Sequence, residues 1–156
     1  MRLERIWIVT VPLILLLGFA SGWLSNSGYG NGWFDALKKP SFMPPGWAFP
    51  VAWTTIYVLM GVAVARVIAG QGPHRLLALT LFAAQLLLNL AWSPVFFGMH
   101  QARAGLVIIV AMILLAAVTA ILFWRICRAA GALMIPYLGW LCFAASLNAA
   151  IVRLNP

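Results

Sequence analysis

Acidic residues are almost missing: Glu4 and Asp35 are the only two among 156 residues. Neither falls in one of the long apolar helices expected below. The chain therefore has no carboxylate pair for general acid–base work and no buried ionisable group for a proton or cation relay. Cysteine is as scarce. Cys127 and Cys142 have neither metal-ligand spacing nor the numbers for a disulfide framework, and they read as small buried hydrophobes. The two histidines, His74 and His100, fall in separate predicted loops and read as solvated, so no metal site is expected. No buried Ser or Cys has a neighbouring His base, so nucleophilic catalysis has no visible apparatus. Strand-like alternation is absent as well, which argues against a membrane β-barrel. Only 8% of residues are charged and the mean hydropathy is +1.03, which excludes an ordinary soluble domain.

What the chain has in quantity is apolar length. Five uncharged stretches, residues 6–24, 49–65, 76–97, 104–124 and 129–152, point to helices near 6–24, 47–69, 76–97, 104–125 and 131–153. Each approaches the ~20 residues a helix needs to cross ~30 Å of hydrocarbon. The expectation is an all-α integral membrane protein with one domain over residues 1–156: a single bundle of five transmembrane helices with a long loop between helices 1 and 2. A cleaved signal peptide is the rival reading of the first stretch, because Arg2 and Arg5 precede it and Ala20-Ser21-Gly22 offers small residues. Pro12 and the length of the run favour a retained helix. Short connections around 70–73, 98–103 and 125–131 make neighbouring helices antiparallel, an up–down bundle.

The formal net charge of +8 comes from ten Lys and Arg scattered over separate loops. That pattern suits anchoring to anionic lipid headgroups, with a share free to attract an anionic ligand, and it does not build one nucleic-acid-binding face. Arg2, Arg5, Arg66, Arg75, Arg125 and Arg128 fall on one side of the bundle, and Lys38, Lys39, Arg103 and Arg153 on the other. In an inner membrane this excess would place the N-terminus in the cytoplasm.

Residues 25–45 form the one long connection. Turn signals at 25–28 and 30–32 precede Trp33, Phe34 and Leu37 at helical spacing, beside Asp35, Lys38 and Lys39. Pro40, Pro44 and Pro45 stop this short amphipathic segment. It reads either as a lid over the bundle or as a plain surface loop. In the first helix Gly18 and Gly22 stand four apart, so another helix or a ligand can come close.

Eight tryptophans remain to be placed. Some serve as interfacial anchors. Trp53, Trp92 and Trp140 fall within apolar stretches; each lies within two turns of a helix end and reads either as a further belt residue or, because its stripe also carries polar groups, as a pocket residue. Gln85, Asn89 and Trp92 repeat at i, i+4, i+7 with Ser93 alongside. Trp53, Tyr57 and Met60-Gly61 share a second stripe, and Tyr137, Trp140, Ala144 and Asn148 a third. Polar groups in hydrocarbon turn inward to find partners, so the three stripes face one another. The amides then act as hydrogen-bonding glue, and the aromatic groups line a pocket suited to a flat apolar ligand. Pro50, Pro94 and Pro136, near helix ends, either splay that end of the bundle or simply terminate helices.

Several separated motifs then resemble the TspO/MBR family, the translocator protein or tryptophan-rich sensory protein group, also known as peripheral-type benzodiazepine receptor-like. They are Trp33-Phe34-Asp35-Ala36-Leu37-Lys38-Lys39-Pro40-Ser41-Phe42 with Pro44-Pro45, and Trp53-Thr54-Thr55-Ile56-Tyr57 with Met60-Gly61. Next come Gln85, Asn89 and Trp92-Ser93-Pro94 with Phe96-Phe97-Gly98, then Pro136-Tyr137 with Trp140, and Leu147-Asn148. The resemblance covers essentially the whole chain. It implies a five-helix bundle, often dimeric, that binds porphyrins such as protoporphyrin IX and haem, and in some members sterols and synthetic ligands, with no obligatory cofactor. It implies pocket positions at Gly22, Trp33, Phe49, Trp53, Asn89, Trp92, Trp140, Ala144 and Leu147, to which the stripes add Tyr57 and Tyr137. It also implies a light-dependent porphyrin-degrading alternative in which Trp53 and Trp140 are the catalytic candidates, and an outer-membrane location as in Gram-negative relatives. Two departures stand out. Ala104 replaces a Trp of animal relatives at the start of the fourth helix, and the segment from Leu147 to Arg153 lacks the Tyr of their sterol pattern. The functional expectation is a tetrapyrrole-binding membrane protein for transport or sensing. Its rivals are the photochemical enzyme and a purely structural assembly protein. A homodimer through Ala83 and Ala84 is the expected assembly.

Overall fold

The computed structural model describes residues 2–156. Its first helix, α1, runs Leu3–Leu24, and α2 is a short turn of helix at Gly32–Ala36. Then follow α3 at Ala48–Ala69, α4 at Arg75–Ser93, α5 at Ala102–Ile126 and α6 at Arg128–Leu154. Five helices are long and apolar enough to cross a membrane, as expected. The two acids do lie in helices after all: Glu4 in the first turn of α1, and Asp35 in α2, where its carboxylate accepts from the Gly30 N–H at 3.1 and 3.2 Å. An acid in the first turn of a helix faces the unsatisfied N–H groups there, which favours Asp35 in α2.

The five long helices close into a ring. α1 packs on α3, α3 on α6, α6 on α5, α5 on α4, and α4 returns to α1. The α1–α3 crossing depends on two glycines. A Cβ on Gly18 would collide with the Tyr57 ring, and one on Gly61 would stand 2.6 Å from Val11 Cα. At the same crossing the Thr10 hydroxyl donates to Gly61 O at 2.7 Å. Missing side chains bring backbones close enough for such contacts, which is how helices associate without a hydrophobic gradient between them. Residue Cys127, with extended backbone, is the entire link between α5 and α6.

The three prolines do different things. Pro50 sits in the first turn of α3, where a missing N–H costs nothing. Pro94 opens a π-helical turn, Pro94–Gly98, closed by Met99 N–H on Pro94 O at 2.8 Å. Without a Pro94 N–H, Leu90 O loses its helical donor, and the Ser21 hydroxyl of α1 supplies one at 2.6 Å. Pro136 is not near an end but inside α6. Neither cysteine is buried: Cys142 is exposed on α6 and Cys127 is half-buried, because small apolar side chains are as content against lipid as in a core. The tryptophans divide evenly. Trp7, Trp23, Trp47 and Trp124 are exposed near helix ends on both sides of the bundle, as interfacial belts require, and Trp33, Trp53, Trp92 and Trp140 are half-buried.

Candidate functional site

The ring of helices encloses a cavity of about 810 Å³ at the end that carries the long connection. That lies within the ~300–1,000 Å³ typical of small-molecule sites. The connection roofs it: Asn26, Ser27, Tyr29, Phe34, Met43 and Gly46 all line the space. Two ties hold this roof. Asn31 donates to Phe97 O at 3.3 Å, and its Oδ1 caps α2 by accepting from Phe34 N–H at 3.2 Å. At the far end Asn155 accepts from Lys38 N–H and donates to Lys38 O, both at 2.9 Å. Residues of the 25–45 connection thus lie over the cavity.

Beneath and beside the cavity the three polar stripes meet in one hydrogen-bonded chain. The Tyr57 hydroxyl donates to Asn89 Oδ1 at 3.0 Å, Asn89 Nδ2 donates to the Tyr137 oxygen at 3.0 Å, and the Tyr137 hydroxyl donates to Gln85 Oε1 at 2.6 Å. Each step matches the donor and acceptor capacity of its groups. A second polar link joins α4 to α6 and α5: Trp92 Nε1 donates to Asn148 Oδ1 at 3.2 Å, and Asn148 Nδ2 donates to Ala102 O at 2.8 Å.

The walls are aromatic. Trp53 stacks on Tyr57 with centroids 5.3 Å apart and meets Trp140 edge to face at 6.3 Å; Phe49 meets Trp140 edge-on at 6.0 Å. Across the space Trp92 stacks on Phe96 at 4.8 Å. Two buried donors in the lining residues, Ser93 Oγ and Trp140 Nε1, have no protein partner. Buried polar atoms left unpaired are costly, so such atoms mark places where an acceptor is wanted. Among the described residues, none that lines the cavity is charged. The space therefore presents ring faces and a few donors, with neither acid nor base.

Of the expected pocket positions, Gly22, Phe49, Trp53, Tyr57, Asn89, Trp92, Trp140, Ala144 and Leu147 line this cavity. Two do not. Tyr137 is fully buried behind it, its hydroxyl spent on Asn89 and Gln85. Trp33 lies outside, stacked on His100 at 4.8 Å and edge-on to Phe96 at 5.4 Å. Nor do Lys38, Lys39 or Arg103 reach the lining. Lys39 is engaged elsewhere: its ammonium donates to Phe34 O at 2.7 Å, Leu37 O at 3.2 Å and Asp35 O at 3.3 Å. Sequence reasoning missed Ile109 and Met112 of α5, which complete the wall. In so apolar a helix the lipid face and the cavity face read alike, so no signal marked them.

Among the described residues no cluster of His, Cys, Asp or Glu could hold a metal ion, and neither histidine lines the cavity. Residues 9–154 match the model of the TspO/MBR family. The chain is 41% identical over 126 residues to Protein CrtK of Rhodobacter capsulatus, covering 80% of this chain and 79% of that protein. It is 40% identical over 148 residues to the tryptophan-rich protein TspO of Chlorobaculum tepidum, covering 94% and 93%. It is 37% identical over 155 residues to the translocator protein of Sus scrofa, covering 96% and 91%.

Proposed function

Because the chain belongs to the TspO/MBR family of multi-pass integral membrane proteins, we propose that its cavity binds a flat aromatic ligand of the porphyrin class, protoporphyrin IX or haem, for transport or sensing. The observation that carries this reading is the aromatic wall, where Trp53 and Trp140 meet at 6.3 Å inside a space of about 810 Å³ that no charged side chain among the described residues lines. A macrocycle stacks on indole faces. Its carboxylates stay towards the roof, where Lys38 and Arg103 are exposed. Haem is held by ring contact rather than His ligation, since His74 and His100 both lie elsewhere.

Quenching of Trp fluorescence by protoporphyrin IX tests this in detergent or nanodiscs. Wild type should saturate, and Trp53→Ala and Trp140→Ala should each raise Kd by roughly twofold to tenfold, from ~0.5–1.5 kcal/mol of lost ring contact. Quenching curves unchanged in both variants would overturn the assignment. Absence of any saturable ligand would favour a structural assembly role.

The Trp53–Trp140 contact also favours a second reading, in which light and dioxygen oxidise the bound porphyrin and the paired indoles relay an electron. Illumination separates the two. Only this reading expects the bound absorption spectrum to be consumed in wild type and retained in a Trp53→Phe, Trp140→Phe double variant. Homodimerisation through α4, whose Ala83 is exposed, fits the same family pattern, and crosslinking through Ala83→Cys in nanodiscs tests it.

A further inference from the structure

We infer that the cavity takes its ligand sideways from the bilayer, through a portal between the last turn of α1 and the first turn of α3, while the roof stays shut. This rests on the cavity being the ligand site.

The seams of the ring differ in how they are closed at the level of the cavity. Between α3 and α6, Trp53 and Phe49 both pack against Trp140. On the side of α4, α5 and α6, Trp92 is tied to Asn148, and Asn148 to Ala102 O of α5. Between α1 and α4, Ser21 is tied to Leu90 O. The roof is pinned on the α4 side through Asn31 to Phe97 O and on the α6 side through Asn155 to Lys38. Lys39, bonded to three carbonyls at the end of α2, stiffens it further.

One edge is closed only from below and above. Below, α1 and α3 touch where Gly18 meets Tyr57 and where Phe19 meets the same ring edge-on at 6.0 Å, and above, the Tyr29 ring lies against Gly46. Between these contacts the cavity wall consists of side chains that also face outward: Phe19, Trp23 and Pro50 line the space and are themselves exposed, Trp23 by 82%. Gly22 leaves the α1 side of this gap without a side chain. Trp23 and Trp47 (70% exposed) put the gap at the depth where indoles sit, the boundary of headgroups and acyl chains. A flat amphiphile dissolved in the membrane concentrates at that depth, ring inward and carboxylates outward.

The experiment locks the roof. In a Cys127→Ser, Cys142→Ser background, Lys38→Cys and Asn155→Cys replace a contact of 2.9 Å by a disulfide. Association of protoporphyrin IX is followed by Trp quenching in nanodiscs, oxidised and reduced. The portal expects oxidised and reduced rates within about twofold of each other, since the roof is not the gate. Loss of association confined to the oxidised form overturns the portal alone, whereas absence of binding in the unlocked parent overturns the ligand site and the portal with it. Asn155→Ala reads the same question without a disulfide. It unties the roof, and a rate increase of about tenfold or more would make the roof the gate. Conversely, Trp23→Cys bearing a bulky maleimide should slow association by about tenfold, and an unchanged rate there counts against the portal.

Discussion

The Tyr137 hydroxyl donates to Gln85 Oε1 at 2.6 Å while accepting from Asn89 Nδ2 at 3.0 Å, so one buried phenol holds α6 to α4 twice. Tyr137→Phe leaves both the Gln85 oxygen and one Asn89 N–H without a partner in the bundle interior. Tyr57→Phe unpairs only Asn89 Oδ1. An unsatisfied buried group costs ~1–3 kcal/mol, although membrane double-mutant cycles average nearer ~0.6 per hydrogen bond. Thermal unfolding in detergent should show both variants destabilised, Tyr137→Phe by about twice as much. A larger effect from Tyr57→Phe would mean that Tyr137 is not the hub.

Trp33 separates family resemblance from cavity geometry. It stacks on His100 at 4.8 Å outside the cavity, whereas Trp53 and Trp140 line it. Trp33→Ala should therefore leave the Kd for protoporphyrin IX within about twofold while lowering the unfolding temperature, since it removes packing under the roof. A loss of affinity matching that of Trp140→Ala would place Trp33 at the ligand.

The five spans could be read from the sequence because charge is so rare that each of its occurrences marks a boundary. The stripes could be read because an amide in hydrocarbon has nowhere to turn but inward: Gln85, Asn89 and Asn148 are all buried, and each makes a hydrogen bond to a neighbouring helix. Which member of a stripe touches the cavity was not legible. Tyr137 and Trp140 lie three residues apart on α6, and a modest rotation of the helix decides that one is a strut and the other a wall. The fate of Lys39 was also hidden. Its capture by the α2 carbonyls depends on a short helix ending with Leu37 in an extended conformation, and nothing in the sequence fixes that residue's backbone.

The α1–α3 crossing gives a sharp contrast among small residues. A Cβ at Gly61 meets Val11 backbone at 2.6 Å, which cannot yield without moving the helix. A Cβ at Gly22 meets only the Ser27 hydroxyl, at 3.0 Å, and that side chain can rotate away. Gly61→Ala should cost ~1–3 kcal/mol, the usual range for overpacking, and Gly22→Ala should stay below ~1 kcal/mol. Melting curves of the two variants test this, and similar melting temperatures would contradict the crossing.

Cys142 and Cys127 report the membrane boundary. Cys142 is exposed in the middle of α6, while Cys127 lies half-buried at the α5–α6 link, at the bundle end away from the cavity. In intact vesicles a charged maleimide should modify Cys127 slowly and leave Cys142 untouched, and a lipid-soluble maleimide should reach Cys142. Rapid labelling of Cys142 by the charged reagent would place that face of α6 in water.

Ser93 offers the cleanest separation of ligand from scaffold. Its hydroxyl is buried in a cavity-lining residue and bonds to nothing in the protein, as does the Trp140 indole N–H. A hydroxyl that makes no bond loses little when removed, so Ser93→Ala should leave the unfolding temperature unchanged or slightly raised. The same hydroxyl, donating to an acceptor on a bound ligand, contributes ~0.5–1.5 kcal/mol, or roughly twofold to tenfold in Kd. Affinity for ligands bearing a carbonyl or ring-nitrogen acceptor should fall by that factor, and affinity for an analogue lacking the acceptor should not change. Trp140→Phe, which keeps an aromatic ring and deletes the N–H, should show the same dependence on the acceptor on top of a loss of ring contact common to both ligands. An equal loss for both ligand types would trace the effect to cavity shape instead of to these two donors.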